Sequence, residues 1–144
     1  MSQQPGQSYV SVTFPISIKG VVLDPERRVL LLKNERDEWE LPGGRLEVSE
    51  TPQERVETEI HEEAGWRASA GPLLDTWVYE PLPDRRVFIV TYGCTATDAH
   101  RPPVISHEHK AIGLFHRHEI DALVMPQGYK DSIDHWYELL DQNG

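Results

Sequence analysis

The alternation of apolar and polar positions changes period several times along the chain, and each change marks an element. From Phe14 to Leu23 β-branched and apolar residues dominate (Ile16, Ile18, Val21, Val22), and Asp24-Pro25 closes the run as a turn does. Val29 to Leu32 is a second short apolar run, so residues 15–33 read as a strand pair joined by DPERR. The segment NERDEWELPGG reads as a loop closing on Gly43 and Gly44. Over 51–64 the period becomes helical: at about 100° per residue, Val56, Ile60 and Ala64 form one narrow apolar stripe. Thr51 suits the N-cap, Pro52 the first helical position, Glu54 completes a capping box, and Gly65 is the stop signal. Leu73–Tyr79 and Arg86–Gly93 read as strands connected by PLPDRR. A Pro- and His-rich loop over 100–110 leads to a short strand at Ala111–Phe115, and Tyr129–Leu140 reads as a closing helix packing Ile133, Trp136, Tyr137 and Leu140. The order strands, helix, strands, helix predicts an α+β fold, an α/β/α sandwich with a mixed β-sheet between helices.

Composition narrows the picture. The 144 residues suit a single domain, with no internal repeat or interior linker, and residues 1–8 are polar enough to form a flexible N-terminal leader. No apolar run approaches the roughly 18 to 20 residues of a bilayer-spanning helix, and the start lacks the basic and apolar regions of a secretory signal. Cys94 is the single cysteine, which excludes an internal disulfide and fits a cytoplasmic protein. Twenty-four acids against fourteen Lys+Arg give a formal charge of −10, which repels nucleic-acid backbones and leaves no basic stripe for them. A phosphorylated small molecule is repelled as well unless a divalent cation neutralises both sides.

The placement of the acids carries the chemistry. On the 51–64 helix, with Glu59 at 0°, Glu63 falls at about +40° and Glu62 at about −60°. Three carboxylates therefore share an arc of roughly 100° beside the apolar stripe. Like charges four residues apart repel, and acids in a last turn oppose the helix dipole, each effect worth a few tenths to about 1 kcal/mol. Hard oxygen ligands converging on one point suit Mg²⁺, with Mn²⁺ as the alternative, and a bound cation reverses the sign of both penalties.

Gly44, five residues, Glu50, eight residues, then Glu59-Ile60-His61-Glu62-Glu63-Ala64-Gly65-Trp66 closely resembles the Nudix box, and Trp39-Glu40-Leu41-Pro42-Gly43-Gly44 resembles its usual approach. One specified position differs: Thr58 stands where the family has arginine. The resemblance implies the Nudix fold and a metal-dependent pyrophosphohydrolase acting on a nucleoside diphosphate linked to another group. It implies that Glu59, Glu62 and Glu63 hold metal together with a carbonyl of Gly43 or Gly44, and that Glu50 braces loop and helix. It implies a further carboxylate from a loop before a late strand, a place taken here by Glu108, and a general base that is Glu59 or Glu108. The catalytic set is then Glu59, Glu62 and Glu108. Thr58 cannot hold the carboxylates as the family's arginine does. Arg55, at about −40° on the same wheel, is the candidate substitute. An alternative reading follows from Thr58: a weakened Nudix-fold module that binds nucleotide or regulates without turnover. An isomerase on the same box is disfavoured because Cys94 has no visible acid–base partner.

Smaller signals complete the expectations. Arg45, directly after the glycines, is placed with Gly44 to touch substrate, and Arg36, Arg85 and Arg86 are further candidates for a phosphate clamp. Trp39, Trp77, Tyr79 and Phe88 read as core packing rather than a base-stacking surface. His100, His107, His109, His116 and His118 read as exposed loop residues, since their spacing forms no tetrahedral zinc site. A small-molecule diphosphate is the expected partner, with neither nucleic acid nor membrane, and the resemblance is compatible with a homodimer.

Overall fold

The computed structural model describes residues 13–143; the leader expected over 1–8 lies outside them. The chain forms β1 (Ile16–Leu23), β2 (Val29–Lys33), β3 (Trp39–Glu40), β4 (Gly43–Arg45), α1 (Pro52–Ala64), β5 (Ala68–Leu82), β6 (Arg85–Ala96), β7 (Ala111–Phe115), a 3₁₀ turn (Arg117–Ala122) and α2 (Gln127–Asn143). The strands make one sheet in the order β3-β2-β1-β6-β5, with β4 also paired to β1 and β7 to β2. β1 and β6 run parallel and the other pairs antiparallel, which makes the sheet mixed.

The central strands are apolar on both sides because both faces are covered. Ile18, Val22 and Leu30 join Val56, Ile60, Ala64 and Trp66 in a core under α1, whereas Val21, Val29 and Leu31 join Tyr129, Ile133, Trp136 and Tyr137 under α2. Alternate residues of β1 and β2 thus point into opposite layers, as the period of two requires. Each fully buried Val, Leu or Ile contributes about 1.5 to 3 kcal/mol, so the two layers jointly fix the register of β1. The expected α/β/α sandwich is observed, and the predicted stripe on α1 is wholly buried.

Local sequence set the ends of α1. The Thr51 side chain accepts from Glu54 N–H at 3.1 Å while Glu54 accepts from Thr51 N–H at 3.2 Å, and Gly65 caps the other end at φ 77°, where a side chain would be strained. The β-structure departs from expectation. The segment read as a loop contains β3 and β4, strands of two and three residues held by their partners β2 and β1 rather than by any periodicity of their own. The β5–β6 hairpin is longer than predicted: PLPDRR shrinks to a turn at Pro83-Asp84, with Asp84 at φ 63°. Register shifts between Ala70 and Leu73 let β5 carry Gly71 and Pro72, which pattern reading treats as breakers. Among the described residues no helix is long and apolar enough to cross a membrane.

Replacing Thr51 with Ala removes half of the capping box. It should cost about 1 kcal/mol and lower Tm by about 3 °C in calorimetric unfolding.

Candidate active site

The site lies where β4 crosses the second half of α1. Pairing of Gly44 with Ile18 and Gly43 with Lys19 lays the glycine pair against the helix. A Cβ at Gly44 would stand 2.6 Å from Glu59 Oε1, so any side chain there would push the Glu59 carboxylate aside. Gly43 N–H donates to Glu63 Oε1 at 2.8 Å. Loop 100–110 closes the site from the other side, pinned by Val104 N–H to the Ala64 carbonyl at 3.0 Å and by Trp66 Nε1–H to the Arg101 carbonyl at 2.9 Å.

Arg55 is the hub of the carboxylate set. Its Nε and Nη2 donate to the two oxygens of Glu50 at 2.5 and 3.0 Å, and its Nη1 donates to Glu59 Oε1 at 2.6 Å. All three side chains are at most 18% exposed. Glu50 also accepts from Glu47 N–H at 2.7 Å, so one guanidinium ties the loop before α1 to the middle of the helix. Thr58 faces solvent. The hydrogen bonds from Arg55 hold the Glu50 carboxyl below the usual carboxylate range. Burial pushes Glu59 up in spite of Arg55, helped by the charges of Glu62 and Glu108.

Glu63 sits deeper, 5% exposed. Burial pushes its carboxyl up to about 7, against the opposing pull of Lys19, Gly43 N–H and His109. Lys19 is itself buried; Tyr129, Glu40, Glu63 and Glu59 together hold its ammonium above its ordinary value against the penalty of burial. Glu40 answers with the opposite shift: burial is overcome by Lys19 and by hydrogen bonds from His109 and Asn34, which bring it to about 2.

His109 departs from the expectation of an exposed loop residue. Its side chain is 10% exposed, with Nε2 3.5 Å from Glu40 Oε1 and 3.4 Å from Glu63 Oε2. The hydrogen bond to Glu40 leads in raising its pKa. Its burial follows from the anchoring of loop 100–110, which no local pattern announces. Lys19 was missed too, although a lysine inside the apolar run ISIKGVVL is itself a signal of a buried charge.

The remaining candidates are placed as follows. Glu62 and Glu108 are exposed, Glu62 on the helix and Glu108 on the loop next to His109; Arg45 is exposed at the end of β4. Trp39 meets Phe115 edge-on at 4.8 Å, and Trp77 packs on Tyr129 at 5.1 Å and Tyr79 at 5.4 Å, all against the core under α2. Phe88 lies in β6, paired with Ile16 of β1 and Val78 of β5.

Among the described residues no three His, Cys, Asp or Glu side chains are already gathered into a cation cage. Glu59 and Glu63 face internal partners instead. The donor set still fits a hard divalent cation: Glu59, Glu62 and Glu63 lie on one helix, with Glu108 close enough for its charge to act on Glu59. Burial leads the upward shifts of both Glu59 and Glu63, and a cation bound there would favour their charged forms.

A family model described as NUDIX domain matches residues 13–139. The chain is 37% identical over 78 residues to a MutT-like protein from Streptomyces ambofaciens, covering 54% of this chain and 49% of that protein. It is 35% identical over 81 residues to an 8-oxo-dGTP diphosphatase from Proteus vulgaris, covering 50% of this chain and 71% of the relative. The chain thus spans about half the length of the first of these relatives. In structure it resembles a MutT protein from Methanosarcina mazei Go1, with a TM-score of 0.75 at 20% identity over 90% of this chain and 97% of that one, a likeness of fold.

The buried carboxyl of Glu63 has a consequence for stability. It titrates at about 7 when folded and near 4.5 when unfolded, so the native state holds the extra proton between those values and stability falls as pH rises across them. His109 acts in the same sense, its contribution lost as pH climbs past its raised folded value. Glu40 acts at the acid end, where stability is lost as pH falls from 4.5 toward 2. With divalent cations chelated, urea unfolding should show a decline between about pH 5 and 7 on the order of 3 kcal/mol at most. Glu63→Gln should flatten that decline; stability rising through the window in both proteins would contradict the assignment.

Proposed function

We propose, on the premise that the chain belongs to the Nudix family, that it is a divalent-cation-dependent pyrophosphohydrolase cleaving a phosphoanhydride bond in a nucleoside diphosphate linked to another group. The observation that carries this reading is the clamp of Gly43 and Gly44 onto Glu63 and Glu59, with Arg55 holding Glu59 in place. The resemblance to an 8-oxo-dGTP diphosphatase supports the class of reaction.

Mg²⁺, or Mn²⁺ in its place, held by Glu59, Glu62, Glu63 and the Gly43 carbonyl, would neutralise the diphosphate and acidify the attacking water. Glu59 or Glu108 takes the proton from that water as general base. Glu59 keeps one oxygen on Arg55 and has the second free for this task. Glu108 is unburied and carries no hydrogen bond among the described residues, which leaves it free to swing with its loop. Glu62, exposed beside them, completes the catalytic set. Glu50 and Arg55 act on position rather than on substrate: they stop Glu59 from turning away from its neighbours. Gly44 and Arg45 contact the diphosphate from the β4 side, glycine through its backbone and arginine through its fork. The binding-module alternative rests on Thr58, and Arg55 weakens that case because it already supplies the guanidinium. Cys94 is buried, with its thiol pushed up to about 12 by burial, so it offers an isomerase no acid or base.

Hydrolysis of a panel of nucleoside diphosphate derivatives, read as nucleoside monophosphate formed, should require Mg²⁺ or Mn²⁺, cease in EDTA, and fall by more than about 100-fold in Glu63→Gln. Cation-dependent nucleotide binding without turnover on any member would establish the binding module instead. Between Glu59→Gln and Glu108→Gln, the base is the residue whose loss lowers kcat while cation affinity stays. Arg55→Ala should lower kcat/KM by about 10- to 100-fold, and Arg55→Lys should recover little of it, because an ammonium cannot fork across two carboxylates.

A further inference from the structure

β5 is the last strand of the sheet, and among the described residues no strand or backbone group pairs with its outer edge. The opposite margin of the sheet is made of short pieces, β3 of two residues and β7 of five, whereas β5 runs for fifteen. A long open edge is a row of unpaired N–H and C=O groups, which proteins blunt with charge, proline or a covering segment. Here the blunting is confined to the ends of the strand. Pro72 and Pro81 bound residues 73–80, which contain no proline, and over 71–79 the one charged residue is Asp75. Asp75 is turned onto α2, where it accepts from Ser132 Oγ at 2.8 Å with His135 Nδ1 at 3.4 Å. Glu80, the next acid, is taken up by Arg86 at 3.2 Å. In a chain of formal charge −10, this edge is where two copies meet with least repulsion.

Apolar surface leads to the same edge. Val78 is 49% exposed and stands in register with Phe88 of β6, which is in register with Ile16 of β1, itself 37% exposed. The three share the face that α1 covers further along, where Ile18 and Val90 join its core. A two-fold axis normal to the sheet makes two copies of β5 antiparallel and keeps both α1 layers on one side. The row of apolar side chains then runs on unbroken into its own copy.

We propose that β5 is the interface of a homodimer, in which two copies pair edge to edge about Val78 and extend one sheet through both molecules. With Val78 opposite its copy, Trp77 stands opposite the partner's Tyr79, an aromatic cross-strand pair made twice. Thr76 stands opposite the partner's Glu80, so no two carboxylates meet. The turn that carries Arg85 and Arg86 reaches the start of the second β5, where Ala70 N–H donates to Glu57 on α1. Basic residues of each copy are thus brought toward an acid of the other. The inference does not depend on the hydrolase reading.

Sedimentation equilibrium of the full chain at micromolar concentration should give twice the mass of the chain. Val78→Lys sets an ammonium against its copy at a half-exposed position and should raise the dimer dissociation constant by about 10-fold or more. Arg86→Glu should raise it by less. In a Cys94→Ala background, Val78→Cys should yield a disulfide-linked dimer on mild oxidation, because residues directly opposite across an antiparallel pair lie within reach of an S–S bond. Val48→Cys, at a position 94% exposed but off the strand, should not. A chain that stays monomeric overturns the proposal, whatever else then covers the edge. So does a dimer that withstands Val78→Lys and links no faster through position 78 than through 48, since it would use another surface.

Discussion

The structure turns on one electrostatic constraint, which is to keep several carboxylates close together on the end of a helix where they repel one another and oppose its dipole. α1 does this by dividing its surface. Val56, Ile60 and Ala64 anchor it to the sheet with full burial, and the acids lie along the edge of that anchor rather than on the open side. Each is then compensated by a different chemistry. Arg55 serves Glu59, a backbone N–H and Lys19 serve Glu63, and solvent serves Glu62. Burial nonetheless leaves the carboxyls of Glu59 and Glu63 shifted upward.

The sheet supports this arrangement through β1. Its parallel partner β6 and its antiparallel partner β4 hold it in the middle, so its alternation is fixed by packing in both layers. Lys19 is placed among the acids by the same register that puts Ile18 under α1. A slip of one residue would put the ammonium of Lys19 where Ile18 packs and Ile18 where the ammonium sits, and both layers would lose their contacts.

What could be read from the sequence follows the range of the forces involved. The caps and the stripe of α1 depend on residues within one or two turns, so Thr51, Glu54, Gly65, Val56 and Ile60 announced themselves. The sandwich followed from the order of elements, because covering both faces of β1 and β2 needs helices on each side. β3 and β4 escaped because so few residues carry no period; their pairing with β2 and β1 is decided across the chain. His109 escaped for a similar reason. Its burial is set by Val104 and Trp66 anchoring a loop to the end of α1, an interaction between segments that a linear reading treats as separate. The aromatic residues were legible as core because Trp77 and Tyr79 sit at alternate positions of a strand facing Tyr129.

The guanidinium that Arg55 brings to Glu59, where Thr58 has none to offer, bears on how such chains are sorted. A pattern that demands arginine immediately before the first glutamate would discard this protein as degenerate, although the charge arrives at the same carboxylate from one helical turn earlier. Thr58 points to water, while Arg55 links Glu50 to Glu59, so a change in the loop at position 50 is felt at a carboxylate in the middle of the helix.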